Sequence, residues 1–271
     1  MLISVIITTY NSPDFLQRCI NSFLKQEDND FEIIVADDGS SESTELLIKK
    51  YNDSHLDIKH AWHEDKGFRA AKIRNEAVKK SSGEYLIFID GDCVAFNDFI
   101  KNHKIISEKG FFARGNRIML SERFSNILIK ENPNINIFSF MRYIKLRLQK
   151  DINRIMPIIR FANYPFRKTK KKEWRGAKTC NLGVWRDDFN NINGLDESYI
   201  GWGREDSDFV VRLINNGIYR KEAIFSTGLL HLYHKINSRE NFSRNDKLLS
   251  EAILNNKTYI KNGYKKNEHI Q

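Results

Sequence analysis

An α/β fold, with a Rossmann-like, mostly parallel central sheet flanked by helices, is predicted by three features of this 271-residue sequence. Short apolar runs rich in β-branched residues alternate with helix-period segments, as in a parallel sheet with helical crossovers. The runs are nearly continuous, as expected of strands buried on both faces. Two of them stop at paired carboxylates, Asp37-Asp38 and Asp90-Gly91-Asp92, and ligands in open α/β sheets bind beyond strand carboxyl ends.

Residues 3–9 (Ile-Ser-Val-Ile-Ile-Thr-Thr) form the first predicted strand. Ser12 can cap the helix that follows, with Pro13 at its first position. Phe15, Leu16, Cys19, Ile20, Phe23 and Leu24 recur at helical spacing on one apolar face. Residues 31–36 give a second strand, and 43–51 a short helix. A third strand covers 57–62, a polar loop 64–69, and a helix 70–80 with Ile73, Ala77 and Val78 inward. Arg69, Lys72 and Arg74 either neutralise phosphate or form a solvated basic face. The fourth strand, Tyr85 to Ile89, delivers Asp90, Gly91 and Asp92. Carboxylates there can hold a hard divalent cation, and Gly91 lets backbone approach a ligand closely; the bland alternative is an ordinary turn.

In the second half, Asn97-Asp98 begins a helix to about Glu108, 111–119 reads as one strand, and a helix runs from Ser121 to near Pro133. Met141, Ile144, Leu148, Ile152, Ile155 and Ile159 make an apolar stripe three or four residues apart, with Arg142, Lys145, Arg147, Lys150 and Arg154 between them. Pro157 ends or kinks that helix. The stripe either packs on the domain or lies in an anionic membrane interface. Residues 167–175 are a basic loop, open or a flap, in which Trp174 stacks on a sugar or packs in the core. Glu205 and Asp206 open a helix that carries Phe209, Val210, Leu213 and Ile214 inward and stops at Asn216-Gly217. That dipole favours an ionised Asp206 near neutral pH. His231 and His234, after a predicted strand, can share one metal. The tail from 237 is polar, with a helix expected over 246–260 and a disordered basic end.

The apolar fraction of 41% suits a globular domain, and no apolar run reaches the length of a membrane span. No signal peptide is evident at the N-terminus. The three cysteines, Cys19, Cys93 and Cys180, have neither disulfide-scaffold nor zinc spacing, which points to a reducing, cytoplasmic setting. A net charge of +9 favours an anionic partner. No zinc-finger or RNA-recognition motif is present, so nucleic acid is not expected.

Four segments in order, Val-Ile-Ile-Thr-Thr-Tyr-Asn, Val-Ala-Asp-Asp-Gly-Ser, Gly-Phe-Arg-Ala-Ala-Lys-Ile-Arg-Asn and Phe-Ile-Asp-Gly-Asp, resemble a family 2 glycosyltransferase. Gly201-Trp202-Gly203-Arg204-Glu205-Asp206 resembles the acceptor motif of β-1,4-galactosyltransferases and of chondroitin-polymerase-type transferases. The resemblance implies the glycosyltransferase A-type fold, a UDP-sugar donor, and Mn²⁺ or Mg²⁺. It implies that Thr8, Tyr10 and Asn11 line the nucleotide pocket, that Asp37 contacts the nucleobase, and that Asp38 lies near ribose or metal. Asp90 and Gly91 would serve the ribose and diphosphate, and Asp92 the metal, completed by His231 or His234. Trp202 and Glu205 would hold the acceptor and Asp206 would act as base.

The expected organisation is one domain over 1–235, its nucleotide half 1–110 and acceptor half 111–235, followed by a helical extension over 236–271. The expected function is inverting, metal-dependent transfer of a hexose or N-acetylhexosamine to a saccharide or glycolipid acceptor, in surface polysaccharide or lipo-oligosaccharide synthesis. The alternatives are a metal-dependent nucleotidyltransferase and a non-catalytic carbohydrate-binding protein on the same fold.

Overall fold

The structure is a computed structural model that describes residues 1–161, 165–235 and 240–266. Its main strands are β1 (Ile3–Thr9), β2 (Phe31–Asp37), β3 (Ile58–Trp62), β4 (Tyr85–Asp90), β6 (Phe111–Arg114), β8 (Asn181–Trp185) and β9 (Tyr219–Glu222). They form one seven-stranded sheet in the order β3-β2-β1-β4-β8-β6-β9. β1, β2, β3 and β4 run parallel, with β8 antiparallel to β4 and to β6. A second sheet, β5 (Cys93–Val94), β10 (Leu229–His231) and β7 (Arg117–Met119), leaves the first just past the tip of β4.

Both faces of the main sheet are covered, which is why its strands read as near-continuous apolar runs. Ile3, Val5 and Ile7 of β1 bury in one core cluster with Leu16 and Ile20 of α1 (Pro13–Asn21) and Leu47 of α2 (Glu42–Lys49). Ile6 points the other way, into a cluster with Ile73 and Ala77 of α3 (Ala70–Lys79) and Phe209 and Leu213 of α8 (Glu205–Asn215). Thr9 pairs with Asp37 and Thr8 with Asp90, so the tips of β2, β1 and β4 are level. The strand order reverses on either side of β1, and ligands bind at such switch points.

The single strand predicted over 111–119 divides at Gly115-Asn116, with β6 in the main sheet and β7 in the second. A Cβ at Gly115 would lie 2.1 Å from the Asn181 side chain, so backbone passes against β8 where only glycine fits. Asn181 Nδ2 donates to the Asn116 carbonyl at 3.0 Å and fixes the crossing. The remaining helices, α4 (Phe99–Ile106), α5 (Glu122–Glu131) and α7 (Arg186–Asn191), lie close to their predicted places or in short connections. Asn132, in the left-handed conformation with φ 45°, ends α5 just before Pro133.

The predicted helix over 138–159 is corrected. α6 (Phe140–Leu148) stops where Lys150 turns left-handed at φ 60° and the Asp151 amide bonds back to the Leu146 carbonyl at 2.8 Å. Ile152 then bridges to Leu120, and Pro157 sits in a separate 3-10 turn, Met156–Ile158. The packed face also differs: Tyr143 and Leu146 are buried with Phe124 and Leu128, while Met141 and Leu148 are 69% and 79% exposed. Periodicity locates an apolar stripe but not which way it faces.

The basic loop is fastened. Buried Arg167 donates to the Glu222 carbonyl and to Ser226 Oγ, both at 2.7 Å, and Arg220 Nη1 donates to the carbonyls of Glu173 and Arg175. Trp174 packs against the second core cluster, with Arg175 over its ring. α9 (Phe242–Leu254) begins earlier than expected, and the chain after it returns to the body: the Tyr264 amide donates to the Asn193 carbonyl at 2.8 Å and its ring meets Phe189 edge-on. The basic end predicted beyond 266 lies outside the described residues. Among those residues, no helix is long and apolar enough to cross a membrane.

Candidate active site

At the level tips of β1 and β4, a cleft of about 640 Å³ opens between the two sheets and the start of α8. Its buried cation is Arg74, supplied by α3. Nε donates to Thr8 Oγ1 at 2.9 Å, Nη1 reaches Glu205 at 3.2 Å and Nη2 reaches Asp90 at 3.3 Å. Burial opposes the charge, but Glu205 and Asp90 outweigh it and raise the pKa of Arg74. Arg117 of β7 reaches the other oxygen of Asp90 at 3.6 Å. Gly91 lines the cleft with its amide on the Thr8 carbonyl at 2.8 Å, and an added Cβ would meet that oxygen at 3.1 Å.

On the β2 side the structure separates residues that the sequence groups together. Asp38 lines the cleft; Asp37 does not. Asp37 is 1% exposed, with one oxygen accepting the Ser40 amide and the other 3.0 Å from His60 Nε2. Asp38 lies 2.7 Å from His63 Nε2 and accepts the Arg69 amide at 2.8 Å; burial raises its pKa despite both partners. Asn11 sits outside the cleft lining and joins two loops, accepting the Ser41 amide and donating its own to Ser40 Oγ. Tyr10 lines the cleft and donates to Asp65 at 2.8 Å. Arg69 acts through its amide, while its guanidinium bonds the Glu64 carbonyl.

Where the second sheet begins, Asp92 meets both histidines. His231 Nε2 is 3.2 Å from one oxygen and His234 Nε2 3.1 Å from the other, and the donor atoms lie within 4.8 Å of one another. His234 Nδ1 faces the Lys235 carbonyl at 2.8 Å, which leaves Nε2 toward Asp92. Burial opposes ionisation of Asp92, yet His234, His231 and Arg117 hold its pKa below the ordinary value. Burial lowers His231, whereas the bond to Asp92 raises His234 to about 9. One carboxylate and two imidazoles converging this closely fit a divalent cation. The mixed set suits Mn²⁺ better than Mg²⁺, which prefers an all-oxygen shell.

The first turn of α8 supplies the remaining wall. Glu205 is buried against Arg74, and burial together with neighbouring Asp206 pushes its pKa up to about 7. Asp206 is half-buried and lines the cleft. Its pKa is raised by burial, against Lys178 and Arg74, so desolvation outweighs the helix dipole expected to favour its charge. Trp202 also lines the cleft and stacks on Phe242 of α9 at 6.0 Å.

Sequence reading did not single out His60, His63, Arg117, Lys178 or Phe242. The two histidines could be found only through the β2–β3 register, which sets Val35 beside His60 and Asp37 beside Trp62. Arg117 was hidden by treating 111–119 as one strand.

Three comparisons with known proteins bear on this site. Residues 4–104 match the family described as glycosyl transferase family 2, and residues 161–235 match the N-terminal domain of galactosyltransferase. The validoxylamine A glucosyltransferase of Streptomyces hygroscopicus subsp. jinggangensis is 27% identical over 228 residues, covering 80% of this chain and 52% of the relative. A chondroitin synthase of Escherichia coli is 25% identical over 234 residues, covering 80% of this chain and 33% of the relative. The chain therefore spans about half of the length of one of these relatives and a third of the other. The Staphylococcus aureus TarS fragment 1-349 in complex with UDP-GlcNAc superposes with TM-score 0.61 at 18% identity, over 94% of this chain and 67% of that one. The fold is of the glycosyltransferase A type.

The Glu205 pKa gives a stability test. In the unfolded chain Glu205 ionises near the ordinary carboxyl value of 4.5, whereas in the folded state it holds its proton to about 7. The folded state thus binds the extra proton in between, and stability falls as pH rises through that window. Glu205→Gln should flatten this decline, worth on the order of 1–3 kcal/mol. Urea unfolding from about pH 4 to 8 checks it; equal slopes for both proteins would mean that Glu205 is ionised throughout.

Proposed function

Because residues 4–104 carry a family 2 glycosyl transferase segment and 161–235 a galactosyltransferase segment, we propose that this protein transfers a hexose or N-acetylhexosamine from a UDP-sugar to a saccharide hydroxyl, with inversion at the anomeric carbon. One observation carries the reading. Asp38, Asp90, Asp92 and Glu205 each face a histidine or arginine, while no ion pair holds Asp206 among the described residues. Asp206 is therefore the cleft carboxylate free to take a proton from an incoming hydroxyl.

The other residues orient the reactants around it. Thr8, Tyr10 and Asp38 face the cleft from the tips of β1 and β2, the side suited to a nucleoside. The TarS neighbour was determined with UDP-GlcNAc, which supports a uridine donor. Asp90, Gly91 and Arg117 stand where the ribose and diphosphate would lie. Asp92, His231 and His234 would hold the divalent cation. When bound, it supplies positive charge to the diphosphate as that group departs. Glu205, fixed by Arg74, and Trp202, backed by Phe242, would position the acceptor sugar. A single base without a second unpaired carboxylate beside it suits direct displacement, which inverts configuration.

The acceptor would be a saccharide or glycolipid of a surface polysaccharide or lipo-oligosaccharide. The similarity to a chondroitin synthase and to a validoxylamine A glucosyltransferase supports that class. The buried, unpaired thiols of Cys19, Cys93 and Cys180 suit a reducing cytoplasm.

Asp206→Asn should lower kcat by about 10²–10⁴-fold while UDP affinity, measured by calorimetry, stays within about twofold. Retention of most of the wild-type kcat would remove Asp206 as the base. Asp92→Ala should abolish Mn²⁺ binding measured by titration on the isolated protein, and transfer with it. Unchanged Mn²⁺ affinity would show that the cation sits elsewhere.

A further inference from the structure

We propose that the outward face of α6 docks the protein on an anionic membrane surface. Phe140, Ile144 and Leu148 follow one another at helical spacing, and Met141 adjoins them on the same side. That side points away from buried Tyr143 and Leu146. Phe140, Met141 and Leu148 are 52%, 69% and 79% exposed, and Ile137 in the preceding turn extends the patch at 77%. Large apolar side chains gathered on one exposed helix face mark an interaction surface, unlike the same residues scattered singly.

The charges around the patch select its partner. Helical spacing sets Lys145 on one border of the apolar row and Arg147 on the other. Residues 132–150 contain four cations, Arg142, Lys145, Arg147 and Lys150, and no acid. The next acid, Asp151, is buried against Ser121 and Arg123 and does not offset them. A second copy of the chain docking face to face would set these cations against each other. An anionic bilayer takes the apolar row into its interface and the flanking cations among its headgroups.

The docking helix is connected to the cleft. The segment after α6 is clamped to β7: the Asn153 amide donates to the Met119 carbonyl at 3.0 Å, and Asn153 Oδ1 accepts the Met119 amide at 2.9 Å. Met119 lines the cleft beside Arg117. The docking helix is thus tied through Asn153 to a residue of the cleft wall, and the proposal stands whether or not the transfer reaction is as assigned.

The test is co-sedimentation of the full chain with phosphatidylglycerol or phosphatidylcholine vesicles. Wild type should bind the anionic vesicles, bind the neutral ones weakly, and release as salt screens the attraction. Phe140→Ser/Leu148→Ser and Lys145→Glu/Arg147→Glu should each lower the partition coefficient on the order of tenfold. Both should keep the wild-type melting temperature and rate of UDP release from a UDP-sugar, because these side chains are exposed and lie outside the cleft. Wild type left in the supernatant with either lipid overturns the proposal, as does undiminished binding by both variants. A dimer in sedimentation equilibrium that Phe140→Ser/Leu148→Ser dissolves, without vesicle binding, would assign the face to a second copy instead.

Discussion

The Arg74 guanidinium is nearly sealed from solvent, and its three hydrogen-bonding directions end on three separate parts of the chain. Thr8 is one of the last two residues of β1, Asp90 closes β4 and Glu205 opens α8. A buried cation is costly unless paired, so those parts are held in one arrangement around it. The strand tips and the start of α8 come from distant sequence, and this ion cluster is where they meet. Removing Arg74 would leave the buried Glu205 carboxylate without its cationic partner.

The same cluster sorts the acids of the cleft by what each can do. Asp90 is bracketed by Arg74 and Arg117, and Asp92 is held ionised by two histidines and Arg117. Glu205 is occupied by Arg74, and its proton is retained toward neutrality because it is buried and Asp206 is next to it. Asp206 feels Arg74 and Lys178 only at a distance. Carboxylates of one chemical type thereby differ in charge and availability through their partners, which is what the proposed division into ligand, orienting group and base rests on. The two adjacent acids titrate as a pair, so the pH dependence of the proposed transfer would belong to both.

Much of the fold was legible because burial on both faces leaves continuous apolar runs, and β1, β2 and β4 lie where those runs fall. The site acids were legible because they sit at strand ends and in one recognisable helix-opening motif. Other features depend on tertiary facts that a single sequence does not carry. Asp37 and Asp38 read as equals, but register gives Asp37 to His60 and the Ser40 amide and turns Asp38 to the cleft. The break at Gly115 exists because Asn181 occupies the space a side chain would need. The raised pKa of Asp206 comes from burial, which the helix-dipole argument leaves out.

The central claim is a single displacement driven by one base, and the configuration of the product tests it most directly. With an α-linked UDP-sugar as donor, the anomeric proton coupling of the purified product should report a β-linkage. An α-linkage would contradict the account, because direct displacement by the hydroxyl that Asp206 deprotonates inverts the anomeric carbon.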